Sequence, residues 1–197
     1  MNKKGFIDSL ALPQDHPSQP HPALVNSVYL WSARLAQNDD EEIAAMEPIY
    51  LSRAIRALTD ILGKPGNPQR RVQGIQAEVL LALYFFYVGR LLEGRYHAAA
   101  AMSLAVSCRL HKIAAPQSPP TGTGLSNLVL PLDSFILPAA QNVVQEGERI
   151  NLFWVVFAMD RCWSVGVGSS VILSEGGIDQ SKIQTPWPIS MTQYERV

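Results

Sequence analysis

The chain has 197 residues, of which 47% are hydrophobic and 17% charged, with a formal net charge of -1. That length suits one medium domain or part of a larger protein, and that balance supports a large core and excludes wholesale disorder. A free-standing DNA-binding module carries a basic face, because phosphate neutralisation dominates its affinity; the basic clusters here, Lys3-Lys4 and Arg70-Arg71, are too small to form one.

Two cysteines, Cys108 and Cys162, are too few for a disulfide-dense secreted scaffold, and the N-terminal segment lacks the apolar run of a signal peptide. The expectation is a reduced compartment and two buried thiols. Two stretches, 75–92 and 150–173, are apolar enough to raise a membrane reading. Glu78 and Arg90 interrupt the first and Asp160 and Arg161 the second, and charges there are costly in lipid. Core helices and no membrane partner are expected.

Residues 1–22 carry Pro13, Pro17, Pro20 and Pro22 and read as an irregular lead-in. Pro22 suits the first turn of a helix over 23–37, with Leu24, Val28, Trp31 and Leu35 as its apolar stripe. Asn38-Asp39-Asp40 is a turn that caps the next helix, and Glu41 and Glu42 then meet the favourable end of the helix dipole. That helix runs to about Leu62 and faces inward with Ile43, Met46, Ile49 or Tyr50, Ala54, Ala57 or Leu58, and Ile61. Pro48 inside it predicts a kink or a break. The third helix, 72–87, is apolar almost all round, which predicts burial on several sides. Gly89 or the short connection to Gly94 ends it. The fourth, 93–112, has Tyr96, Ala100, Leu104 and Cys108 (or Ser107) at helical spacing and the small-residue run Ala98–Ala101. Helices three and four read as an αα-hairpin. Residues 114–145 form a Pro- and Gly-rich loop. The fifth helix covers 146–165, ended by Gly166 and Gly168, and the tail 182–188 reads as an extended segment laid against the domain. Nothing alternates with period two, so no sheet is expected.

In the fifth helix Ile150, Phe153, Trp154 and Phe157 are spaced for a core, and the next steps land on Asp160 and Arg161. A buried charge costs several kcal/mol (on the order of) unless paired and hydrogen-bonded, so each needs a partner. Adjacent helical residues do not face each other, so the two reach different partners. The bland reading of this pair is structural, since no nucleophile, metal set or glycine-rich phosphate loop accompanies it. Cys108 and His111 are spaced like half a zinc site but have no second pair nearby, so core packing is expected of the cysteine and capping of helical carbonyls by His111. His16 and His21 read as solvated loop. Gly63-Lys64-Pro65-Gly66 lacks the phosphate-loop pattern, Ser169-Ser170 lacks the nucleophile-elbow glycines, and Trp31, Trp154, Trp163 and Trp187 read mainly as core. No catalytic, cofactor-binding or metal-ligating residue is assigned, and no enzyme is expected.

Three pieces occur in order: Ile75-Gln76-Ala77-Glu78 running into Leu80-Leu81; Gly94-Arg95-Tyr96 followed by Cys108-Arg109-Leu110-His111; and Arg149-Ile150 with Phe153-Trp154 and Asp160-Arg161. Ile178-Asp179 with Pro186 or Pro188 follows. This ordered set resembles the middle, regulatory region of fungal-specific transcription factors of the binuclear zinc-cluster class, over residues 21–190. The residues that carry the likeness are Gln76, His111, Arg149, Phe153, Trp154, Asp160 and Arg161. The resemblance implies a nuclear regulatory domain (23–190, truncated at its C-terminus) involved in regulation of RNA polymerase II transcription. It implies DNA reached through a six-cysteine zinc head, and co-regulators or a small-molecule effector as partners. Two thiols inside predicted helices cannot build that head, so no cofactor is assigned to this chain. A fragment, a truncated gene model and a relative that lost its head all remain open. The expected fold is all-α, an irregular array of about five main helices with a central αα-hairpin. The alternative function is a stand-alone helical protein-interaction module without DNA binding.

Overall fold

The computed structural model describes residues 3–13, 16, 18–36, 40–63, 67–114, 135–168, 170–173 and 182–196. Among these the regular structure is all-α. The Pro- and Gly-rich stretch through Pro131 and the Ile178-Asp179 pair lie outside the described residues. The irregular lead-in expected at the N-terminus contains a helix, α1 (Lys3–Leu10), which buries no residue fully. Its eight residues are too few, and too weakly periodic with Gly5 inside, to announce themselves.

Helix α2 (Pro22–Leu35) starts where proline at the first turn predicts, and the ring of His21 caps it by accepting from the Ala23 N–H at 3.2 Å. His21 is therefore buried and structural rather than a solvated loop residue. The core face is Ala23, Leu24, Ser27, Leu30 and Ala33, rotated from the expected stripe; Leu35 is exposed. Asp40 caps α3 (Glu41–Ala45) through the Ile43 N–H at 3.0 Å. The chain breaks at Met46, and α4 (Glu47–Gly63) begins with Pro48 in its first turn, where a missing N–H costs nothing. Among its described side chains Ala54 and Leu58 are buried, while Ile43 and Ile49 face outward. Glu47 accepts from the Tyr84 hydroxyl at 2.6 Å and lies 3.7 Å from Arg34. Burial and Glu47 together push the Tyr84 phenol up to about 12.

Helix α5 (Pro68–Tyr87) starts one turn earlier than its apolar pattern, because Asn67 caps it and Pro68 occupies its first position. It is buried on several sides, as its composition predicts. One core joins it to α2 and α4 through Leu30, Leu58, Leu81 and Phe85. The other joins it to α6 (Leu91–Ser107) and α7 (Val143–Val167) through Ile75, Phe86, Met102, Phe153 and Val156. Gly89, at φ 77°, turns the chain into α6, completing the αα-hairpin. The inward face of α6 is Gly94, His97, Ala98, Ala101, Met102 and Ala105, not the Tyr96 stripe; Tyr96 is exposed. Inside the hairpin the buried Glu78 carboxylate meets His97 Nδ1 at 2.6 Å, and Phe85 stacks on the His97 ring. Helix α6 ends a turn before Lys112, because Arg109 adopts a left-handed φ of 56°; Leu110–Lys112 then form a 3-10 turn. Helix α7 starts at its Asn142 cap, three residues early, and runs through Gly166 to a left-handed Gly168. A short α8 (Met191–Tyr194) closes the described chain.

Glycine inside a helix ordinarily costs about 0.5–1 kcal/mol relative to alanine. At Gly94 the sign reverses: an added Cβ would stand 2.5 Å from the Phe86 ring, which is itself stacked on Trp163 at 3.5 Å. Gly94→Ala is expected to lower stability by about 1–3 kcal/mol, read as a drop in the urea midpoint without a change in slope. A rise in the midpoint would contradict this packing.

Candidate functional site

Gln69, Gln73 and Gln76 follow at spacings of four and three, which places them on one face of α5. Asn142, Gln145, Glu148 and Arg149 form a similar series at the start of α7. These two polar faces meet across a cavity of about 490 Å³, closed by Gly5, Phe6 and Ser9 of α1, by Leu24 of α2 and by the Pro138–Gln141 approach to α7. Part of the amide lining is committed. The Gln69 carbonyl oxygen accepts from Gln145 Nε2 at 3.2 Å, the Gln145 carbonyl oxygen from the Gln141 N–H at 2.7 Å, and the Gln73 carbonyl oxygen from the His21 N–H at 2.8 Å. Gln76 is half-buried and has no hydrogen-bond partner among the described residues.

Arg149 is only 6% exposed. Its Nη1 donates to the Pro138 carbonyl at 2.5 Å, while its Nε has no partner. Among the described residues no carboxylate pairs with it. Burial pulls its guanidinium below the ordinary value, partly opposed by Cys108 and Glu146. So Gln76 and Arg149, two of the residues that carry the family likeness, line one cavity although 73 positions separate them (149 minus 76).

The remaining likeness residues lie farther along α7 and against the tail. Phe153 is fully buried in the α5–α6–α7 core. Trp154 donates its indole N–H to the Pro186 carbonyl at 2.6 Å and stacks on Trp187 at 4.3 Å. The Asp160 carboxylate is buried and accepts from the Ile172 N–H at 3.2 Å. Arg161 donates to the Leu173 carbonyl and lies over the Phe157 ring at 4.6 Å. The two charges thus reach different atoms of one returning segment. Arg161 is half-buried, not buried as the helix pattern predicted. His111 is buried in the 3-10 turn, and its carbonyl accepts from the Gln184 N–H at 2.8 Å. Thr185 donates to the Leu110 carbonyl beside it. The expected extended tail is therefore laid against the 3-10 turn and α7. Cys108 is buried as expected, whereas Cys162 is exposed: it falls on the outer face of α7.

Sequence reasoning missed Gln69, Gln73, Asn142 and Gln145. The signal available was the three-glutamine face on a helix otherwise apolar all round. The Asp160–Arg161 pair holds backbone, so its contribution is to stability. Arg161→Ala is expected to cost about 1.5–3 kcal/mol, the worth of a hydrogen bond from a charged group, measured by chemical denaturation. A loss within experimental error of zero would remove Arg161 from the set that fixes the 170–173 segment.

A family model described as the fungal specific transcription factor domain matches residues 7–194. No curated protein and no solved structure matches the chain.

Proposed function

The chain belongs to the fungal specific transcription factor domain family, and from that membership we propose that it is the regulatory region of a zinc-cluster transcription factor controlling RNA polymerase II genes in the nucleus. The family is one of transcription-factor regulatory regions and not of enzymes. The observation that carries the reading is the match over residues 7–194, nearly the whole chain. Two structural features support a regulatory role. One is a polar cavity between α5 and α7 that has the size of a small-molecule site. The other is the set of apolar side chains Tyr87, Leu92 and Tyr96 left exposed around the α5–α6 turn, which a co-regulator could cover.

DNA and zinc contact belong, in this reading, to a six-cysteine segment that these 197 residues do not contain. The cysteines present do not fit that role. Cys108 is buried, burial pushing its thiol up, and two cysteines cannot supply a six-cysteine cluster. Cys162 is exposed on another face. Among the described residues no group of three His, Cys, Asp or Glu could hold a metal ion. Among the described residues, too, no helix is long and apolar enough to cross a membrane.

The test is to fuse residues 1–197 to an unrelated DNA-binding domain and drive a reporter carrying its sites in fungal cells. A several-fold change in output, up or down, relative to that domain alone is expected at equal nuclear abundance. Identical output would contradict a transcription-regulatory role.

A further inference from the structure

We propose that the cavity between α5 and α7 binds a small organic acid, its carboxylate on the Arg149 guanidinium and its polar remainder on the Gln76 amide. Four observations converge. First, Arg149 is 94% buried (100 minus 6), its Nε lacks a partner, and no carboxylate pairs with it among the described residues. Removing the partner of a buried charge is strongly unfavourable, and a planar carboxylate matches the guanidinium fork. Second, α5 and α7, of 20 and 25 residues, both begin at this cavity, so the positive ends of two long helices point toward it. Third, Gln76 offers both a donor and an acceptor that nothing in the described structure uses. Fourth, the walls also present Phe6 and Leu24, which suit a carbon skeleton rather than a bare inorganic ion.

Charge balance narrows the class. One guanidinium can neutralise one carboxylate, whereas a phosphate dianion would need a second cation. The volume of about 490 Å³ lies inside the range of small-molecule sites, about 300–1,000 Å³. The ligand is an effector only if the regulatory reading holds; the binding itself stands without it.

The test is thermal unfolding and titration calorimetry on the whole chain. Acetate, lactate and L-glutamate, each of net charge near -1, serve as probes, with succinate, citrate, chloride and inorganic phosphate at matched ionic strength as controls. At least one of the three probes is expected to raise the melting temperature saturably and more than the multiply charged controls. Arg149→Met should then weaken it about tenfold or more, a loss of about 1.4 kcal/mol or more. If Arg149→Met does not fold, Gln76→Leu, which removes an unpaired amide and leaves the apolar core intact, carries the test with the same expected weakening. Failure of every probe to bind saturably, equal binding by the multiply charged controls, or unchanged affinity in the folded variants overturns the proposal. No DNA or reporter enters these measurements, so their failure leaves the transcriptional reading standing, and a silent reporter fusion leaves the site standing.

Discussion

A helix that is apolar on nearly every side must be covered on nearly every side, and α5 imposes that constraint on the whole molecule. Helices α2 and α4 cover one flank of it, and α6 and α7 the other, giving two cores with α5 between them. Each polar group on α5 then needs its own solution. Glu78 is answered by His97 across the hairpin, and the Tyr84 hydroxyl by Glu47 at the head of α4. Both bonds fix the placement of a neighbouring helix as well as satisfying a buried atom. Gln69, Gln73 and Gln76 are answered differently: the cover opens there into a polar cavity instead of closing over them.

Helix α7 carries the consequences along its length. Its first turns wall the cavity through Asn142, Gln145 and Arg149. Its middle fills the core through Phe153 and Val156, and its later turns hold returning backbone through Trp154, Asp160 and Arg161. A displacement of α7 would therefore be felt at the cavity and at the tail together. That arrangement is what a regulatory domain needs, because packed helices shift as units rather than deforming continuously.

Helix ends were the most legible part of the sequence, since each has a local chemical cause. Pro22, Asp40 and Gly89 mark boundaries that a single residue type dictates, and Pro48 marks the break before α4. The same chemistry at Asn67-Pro68 sets the start of α5, four residues ahead of the apolar pattern that begins at Val72. Helix faces were less legible. In α6 alanines surround the helix, so periodicity hardly distinguishes the Tyr96 face from the Ala98 face, and the choice fell to tertiary packing. In α2 the inward side mixes Leu24 and Leu30 with the small Ala23, Ser27 and Ala33, so a pattern of large apolar residues favours Val28 and Leu35 instead. The cavity was the least legible feature. Its walls come from residues near 5, 70 and 145, and no local pattern joins them. Gln76 and Arg149 were singled out by family likeness alone; their meeting is a property of the fold.

The central claim is that the glutamine face of α5 and the buried Arg149 of α7 form one site prepared for a carboxylate. A crystal structure of the chain grown with an organic acid that binds it tests this most directly. The account predicts a carboxylate within hydrogen-bond distance of the Arg149 guanidinium and a second polar group of the ligand on Gln76. An Arg149 side chain turned onto Glu148, with the acid bound elsewhere or not at all, would contradict it.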